Sequence, residues 1–325
     1  MRIPTQQFII ARLPSTILVI SLLGANAYPC LNEYGADLVG KRIEIEGKSG
    51  TAFVQSLTTH ENRAFWNQRR VDVKSQLKWD IDYDLHNNLA VALAHLGHIQ
   101  EAITILEEIE KKLPGKYGTA VNLGTAYELN GENEKALKWI KAGISRNSQS
   151  HLGTEWLHVK ILEAKLALEK DTTWLQTHTV LGADFGQGGK PQQPSVLPSD
   201  YLGQQKSTAE IEDALIYQLH ERLEFTKKPD PLVADLLFDL GNVLALTRTR
   251  EHAQVIYRLS LEYEPTHIDL VQNRLESKDE VIESKNPPKS SRTKSFLLWA
   301  IVAALLVGGG LYIMLARRNS NLDRV

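Results

Sequence analysis

Between Asp82 and Ser148 the apolar positions recur at helical spacing, broken twice by a glycine. Leu89, Ala92, Leu93 and Leu96 fall at i, i+3, i+4 and i+7, which places them on one helix face. Gly97 follows, where a glycine can take the left-handed conformation that ends a helix. The pattern returns 34 residues on, with Leu123 for Leu89, Tyr127 for Leu93, Gly131 for Gly97, Ala136 for Ala102 and Ile140 for Leu106. It predicts two helical pairs in strict register. Ala102 and Ala136 open the second helix of each pair, and the small Ala90 and Gly124 face them from the first. Small residues on both sides let paired helices approach closely.

Weaker patterns flank this stretch. From His60 toward Trp79, Phe65, Trp66, Val71 and Leu77 mark a helix expected to cover the first pair, since an end unit otherwise exposes its face. Asp80, Asp82 and Asp84 stand where a helix dipole favours acids. They do not begin a calcium loop, which needs Gly and Glu where Leu85 and Val91 stand. His151 to Glu169 predicts another helix, with Leu157 in register with Leu123, but Lys170 replaces the expected alanine. Gly182, Gly186, Gly188, Gly189, Pro191, Pro194 and Pro198 then mark a long loop, and helical spacing resumes with Ile211, Leu215, Leu219 and Leu223. Finally Leu240-Gly241 is followed 13 residues later by Ala253, the offset of Leu89 to Ala102, although Arg248 replaces the turn glycine.

A 34-residue period with Leu, a small residue, Gly and Ala at these offsets resembles the tetratricopeptide repeat, a helix–turn–helix hairpin that stacks into a solenoid. The resemblance implies an all-α fold: a short solenoid of helical hairpins that serves as a binding scaffold. It covers residues 82–148 well and a degenerate unit at about 234–267 loosely. At least three stacked units are usually needed, so the intervening helices are expected to complete the array. The expected order is an irregular arm over 28–59, repeat-type helices over 60–171 and a Gly/Pro-rich loop region over 172–206. Helices over 207–283 and a polar linker over 284–295 follow. Lys41 to Gly47 alternates briefly, as a short strand or an extended arm would.

Both ends read as membrane signals. Residues 1–27 combine Arg2 and Arg12, an apolar stretch from Ile17 to Leu23 and Ala25-Asn26-Ala27, the pattern of a secretory signal peptide. Phe296 to Ala316 carries no charge and, at about 1.5 Å per residue, reaches the roughly 30 Å of a bilayer core. One transmembrane helix over 296–316 with a tail over 317–325 is expected. Ala300, Ala304 and Gly308 form a small-xxx-small row on it, a pattern that packs helices against one another. Export by the leader predicts a single-pass protein with its repeats outside the cytoplasm, as on the periplasmic side of a bacterial inner membrane.

Composition narrows the chemistry. The net charge of −2 argues against a nucleic-acid surface built on bulk positive potential. The single cysteine, Cys30, excludes an intramolecular disulfide and any multi-cysteine zinc site. His95 and His98 lack a third ligand at helical offset, and Gly189-Lys190 is followed by Pro191 where a phosphate loop needs Ser or Thr. No metal, cofactor or catalytic centre is expected.

In the family resembled, inward asparagines on the first helix of a pair bind a peptide backbone. By register Asn88 and Asn122 occupy one such site and Asn242 another, with Asn87 beside them; the same amides could instead brace neighbouring helices. Recognition of an acidic C-terminus would need lysine where Asn87 and Val121 stand. The expected function is a membrane-anchored adaptor for a protein or peptide partner, in the assembly or upkeep of an envelope complex. One rival is an envelope enzyme or small-ligand sensor with a pocket near the 181–205 loop. A third reading is a structural organiser that self-associates into a homo-oligomer through its membrane helix.

Overall fold

The predicted pairs form, and local signals fix their ends. A computed structural model of the chain describes residue 33, residues 43–77 and residues 82–277. The predicted leader, Cys30, the linker, residues 296–316 with Ala300, Ala304 and Gly308, and the tail lie outside the described residues. Helices α1 (Gly50–Thr58) and α2 (Arg63–Gln76) lead into α3 (Tyr83–His95), α4 (Ile99–Lys112), α5 (Tyr117–Leu129) and α6 (Asn133–Arg146). After α7 (Glu155–Lys170) a long segment intervenes before α8 (Thr208–Phe225), α9 (Pro231–Thr247), α10 (Arg250–Glu262) and α11 (Ile268–Glu276). The described residues are all-α, their one β-type pairing being an isolated bridge between Ser199 and Gln205.

Asp82, expected as an acid at a helix start, caps α3 by accepting the Leu85 N–H. Gly97 ends the helix at φ 86°, and the His98 N–H then reaches the Leu93 carbonyl at 2.9 Å. One unit later Gly131, at φ 78°, lets the Glu132 N–H reach the Tyr127 carbonyl at 2.9 Å. Both are the same left-handed helix stop, and each turns the chain back so that α3 packs on α4 and α5 on α6. The α9–α10 pair turns without a glycine: Thr249 caps α10 by accepting the His252 N–H. The result is a run of consecutively packed helical hairpins, compatible with a tetratricopeptide-type solenoid.

Close approach depends on small residues where the pattern puts them. A Cβ added at Gly124 would lie 2.4 Å from Ile140 Cδ1 and 3.1 Å from the Ile140 backbone nitrogen. At the matching site of the degenerate pair, a Cβ on Gly241 would lie 2.4 Å from the Tyr257 ring. Gly124→Val is therefore expected to destabilise the chain by about 1–3 kcal/mol, through overpacking against α6. Thermal denaturation would measure it, and an unchanged melting temperature would refute so tight a contact.

Helix α2 packs on α3 as expected, with buried Trp66 stacked on the His95 ring at 3.7 Å and 6°. Helix α7 packs on α6 as the first helix of a further unit would. It has no partner of its own in sequence. The chain instead runs through residues 171–207 with only a 3₁₀ turn at Trp174–Gln176, held down by buried Leu175, Val180, Leu181 and Phe185.

One stretch differs from its reading. Residues 28–59 were expected to be irregular, yet Gly50–Thr58 is a helix capped by Ser49. Ile43 to Ile45, where a strand was one alternative, has no regular structure. Helix α1 packs not on the neighbouring repeats but on α10 and α8, with Phe53 and Leu57 fully buried in the C-terminal core. The Gly50 N–H donates to Glu251 Oε1 at 2.8 Å. Nine residues give too few turns for an apolar stripe to stand out in sequence. Among the described residues no helix is long and apolar enough to cross a membrane.

Candidate functional site

The four asparagines singled out by register are all buried. Asn122 Nδ2 donates to Asn87 Oδ1 at 2.9 Å, tying α5 to α3. Asn88 is 4% exposed in the same layer. Asn242 lies apart on α9, where its Oδ1 accepts from Tyr257 Oη at 2.9 Å and from Arg274 Nε at 3.1 Å. The structure thus joins Asn87 with Asn122 and separates Asn242 from both.

Helix α8 lies against the first hairpins through charged side chains. Glu224 pairs with His95 Nδ1 at 2.6 Å, and Tyr217 stacks on His151 at 5.4 Å. At the end of α5, Glu128 receives His158 Nε2 at 2.6 Å, Lys165 Nζ at 2.7 Å and Arg222 Nη2 at 3.3 Å. Burial opposes the charge on Glu128, yet Arg222, Lys165 and His158 together hold its carboxyl well below the usual range. Glu155, bonded to both His151 and His158, is likewise buried and likewise held low by those two rings. These contacts join α5, α7 and α8, and Glu128 and Lys165 also edge an open cavity of about 590 Å³ that reaches Pro231 and Leu232.

Another cavity lies over α9. Before its terminal Thr247 the sequence of this helix is apolar except for Asp235, Asp239 and Asn242, which at i, i+4 and i+7 share one face. The Gly/Pro-rich segment crosses this face and encloses a cavity of about 560 Å³. The segment is gripped by its backbone: the Val180 N–H donates to Asp235 Oδ2 at 2.8 Å, and the Leu181 amide engages Asp239. From α11, Arg274 donates to the carbonyls of Phe185 at 2.9 Å, Gly186 at 2.6 Å and Gly188. His178, His267 and Asp184 also line the cavity.

Two buried polar atoms of residues that line this space have no partner: Asp239 Oδ2 and Asn242 Nδ2. Burial pushes the Asp235 carboxyl up to about 7, against the downward pull of the Val180 amide. Asp239 is raised well above the usual range, first by burial and then by the neighbouring charge of Asp235. Among the described residues no group of three His, Cys, Asp or Glu side chains could hold a metal ion.

Asp235 and Asp239 were not singled out from the sequence. The available signal was two acids one turn apart inside an apolar helix, where carboxyls are rarely buried without purpose. Fold and cavity together define a helical-repeat protein with a carboxyl-lined recess beneath its longest connecting segment. No protein-family model matches the chain, and no curated protein is significantly similar to it.

Proposed function

We propose that this is a non-catalytic scaffold of tetratricopeptide type, and that it binds its partner at the recess over α9 rather than along the asparagines of α3 and α5. One observation carries the reading: α9 and α11 already grip a stretch of backbone outside any helix, with carboxyls taking its amides and Arg274 its carbonyls. A face that holds the chain's own backbone amides and carbonyls in this way suits a peptide that offers the same groups. The burial of Asn87, Asn88 and Asn122 against neighbouring helices favours bracing over binding for those three. The proposal includes a tether through residues 296–316 and export by residues 1–27, which would set the recess outside the cytoplasm near a membrane.

A second reading, a small-ligand sensor, is favoured by the size of the cavity and by the ionisable groups converging on it beside the 181–205 loop. Self-association through Ala300, Ala304 and Gly308 draws on residues outside those described. Photo-crosslinking in membranes discriminates the sites. A photoreactive residue at exposed Gln187, on the rim of the recess, is expected to capture the partner, whereas one at Asp84 on α3 is not. Adducts from Asp84 alone would overturn the assignment.

A further inference from the structure

We propose that the recess over α9 binds a primary ammonium group carried close to a hydrogen-bond acceptor, the arrangement found at the free amino end of a peptide. This rests on the recess being the recognition site and adds what it recognises. The argument begins with the two unpartnered atoms. Once ionised, Asp239 Oδ2 is an acceptor without a donor, and Asn242 Nδ2 is a donor without an acceptor. Their residues are 1% and 0% exposed, so neither atom is compensated by bulk solvent. At i and i+3 on α9 they are neighbours on one face. A ligand that satisfies both must donate at one point and accept at another a few ångströms away. An ammonium followed by a carbonyl does this.

The surroundings select the sign of charge. Asp235, Asp239 and Asp184 line the recess, and no lysine or arginine is among its lining residues. The nearby guanidinium of Arg274 is occupied by Asn242 Oδ1 and by carbonyls of the covering segment. Phe185 and Phe238 supply aromatic walls, which suit a cation as well as an aliphatic chain. A guanidinium fits less well. It prefers a carboxylate with both oxygens free, whereas Asp235 and Asp239 each have one oxygen engaged by a backbone amide. A single ammonium needs only the oxygen that is left. The recess, at about 560 Å³, has room for a residue or more behind the ammonium.

The test is calorimetric titration of the full chain in detergent with four probes: glycinamide, N-acetylglycinamide, trialanine amide and N-acetyltrialanine amide. The free amines are expected to bind and their acetylated forms to bind at least tenfold more weakly. Asp239→Asn, which keeps the shape of the side chain and removes its capacity to ionise against an ammonium, is expected to weaken the free amines at least tenfold. Its far-UV spectrum and melting temperature would show that it folds. Asn242→Leu, at the acceptor side, should weaken them likewise. Trialanine amide binding at least tenfold more tightly than glycinamide would identify a peptide terminus as the source, and equal binding a small amine. Equal affinity for free and acetylated probes would overturn the proposal, as would absence of binding by all four. If Gln187 still crosslinks a partner in that case, the recess remains the binding site and only the ammonium assignment fails.

Discussion

Replacing Glu128 by alanine is expected to remove about 3–5 kcal/mol of folding stability. The carboxylate, on a side chain 8% exposed at the end of α5, is the shared counter-ion of His158, Lys165 and Arg222. Without it the Arg222 guanidinium, 9% exposed, and the His158 ring, 1% exposed, face each other with no negative charge between them. Breaking a buried pair from one side is costly because the remaining charge keeps its desolvation penalty. The damage also falls where α5, α7 and α8 meet. Glu163→Ala serves as the control, because Glu163 pairs with Lys141 across exposed surface at 3.0 Å and should matter by less than about 1 kcal/mol. Chemical denaturation of both variants gives the comparison. Equal losses would mean that the Glu128 cluster contributes no more than a surface pair.

The second large effect is on pH dependence. Stability is expected to peak at mildly acidic pH and to fall toward pH 8. Asp235, pushed up to about 7 by burial, and Asp239, raised in the same direction, are carboxyls more easily ionised in the unfolded chain than in the fold. Their contribution is complete below the unfolded value near 4 and is lost as pH rises through the folded values. For Asp235 alone the rise corresponds to a loss on the order of 4 kcal/mol by pH 8. His158 adds to the same trend. Burial and Arg222 push it down, but Glu128 and Glu155 prevail and raise it, so its contribution is present below about 6.5 and lost above its folded value. Glu128 and Glu155, held low, act oppositely: their contribution is present above about 4.5 and lost in stronger acid. Together these set the optimum near pH 4.5, where the glutamate contribution is complete and the aspartate contribution has only begun to be lost. The Asp235→Asn, Asp239→Asn double variant should flatten the alkaline limb and melt several degrees higher at pH 8. A wild-type melting temperature constant from pH 5 to 8 would contradict this account.

Much of the repeat region was legible because its signals are local. The 34-residue recurrence located the α3–α4 and α5–α6 hairpins, and Gly97 and Gly131 marked stops that depend only on a few bonds of their own turn. Asp82 was legible as an acid at a helix start for the same reason, and the offset from Leu240-Gly241 to Ala253 marked the α9–α10 pair. The asparagines show the limit of register. It placed Asn87 and Asn122 correctly on their helices, yet could not say that they would bond to each other.

The amino-acid sequence by itself determined the all-α class, the hairpin units and the small residues that let paired helices touch, since helical period, capping and glycine stops act over a turn or two of chain. Only the tertiary structure decided that α1 would join α10, that Arg222 would meet Glu128, and that Val180 would dock on Asp235 to roof the recess. Those partners are far apart in sequence, and nothing in the periodicity of either strand of text records the other. Their meeting follows from the path of the chain after α7, where the repeat lacks its second helix and the segment must bury Val180, Leu181 and Phe185 on whatever apolar face lies nearest.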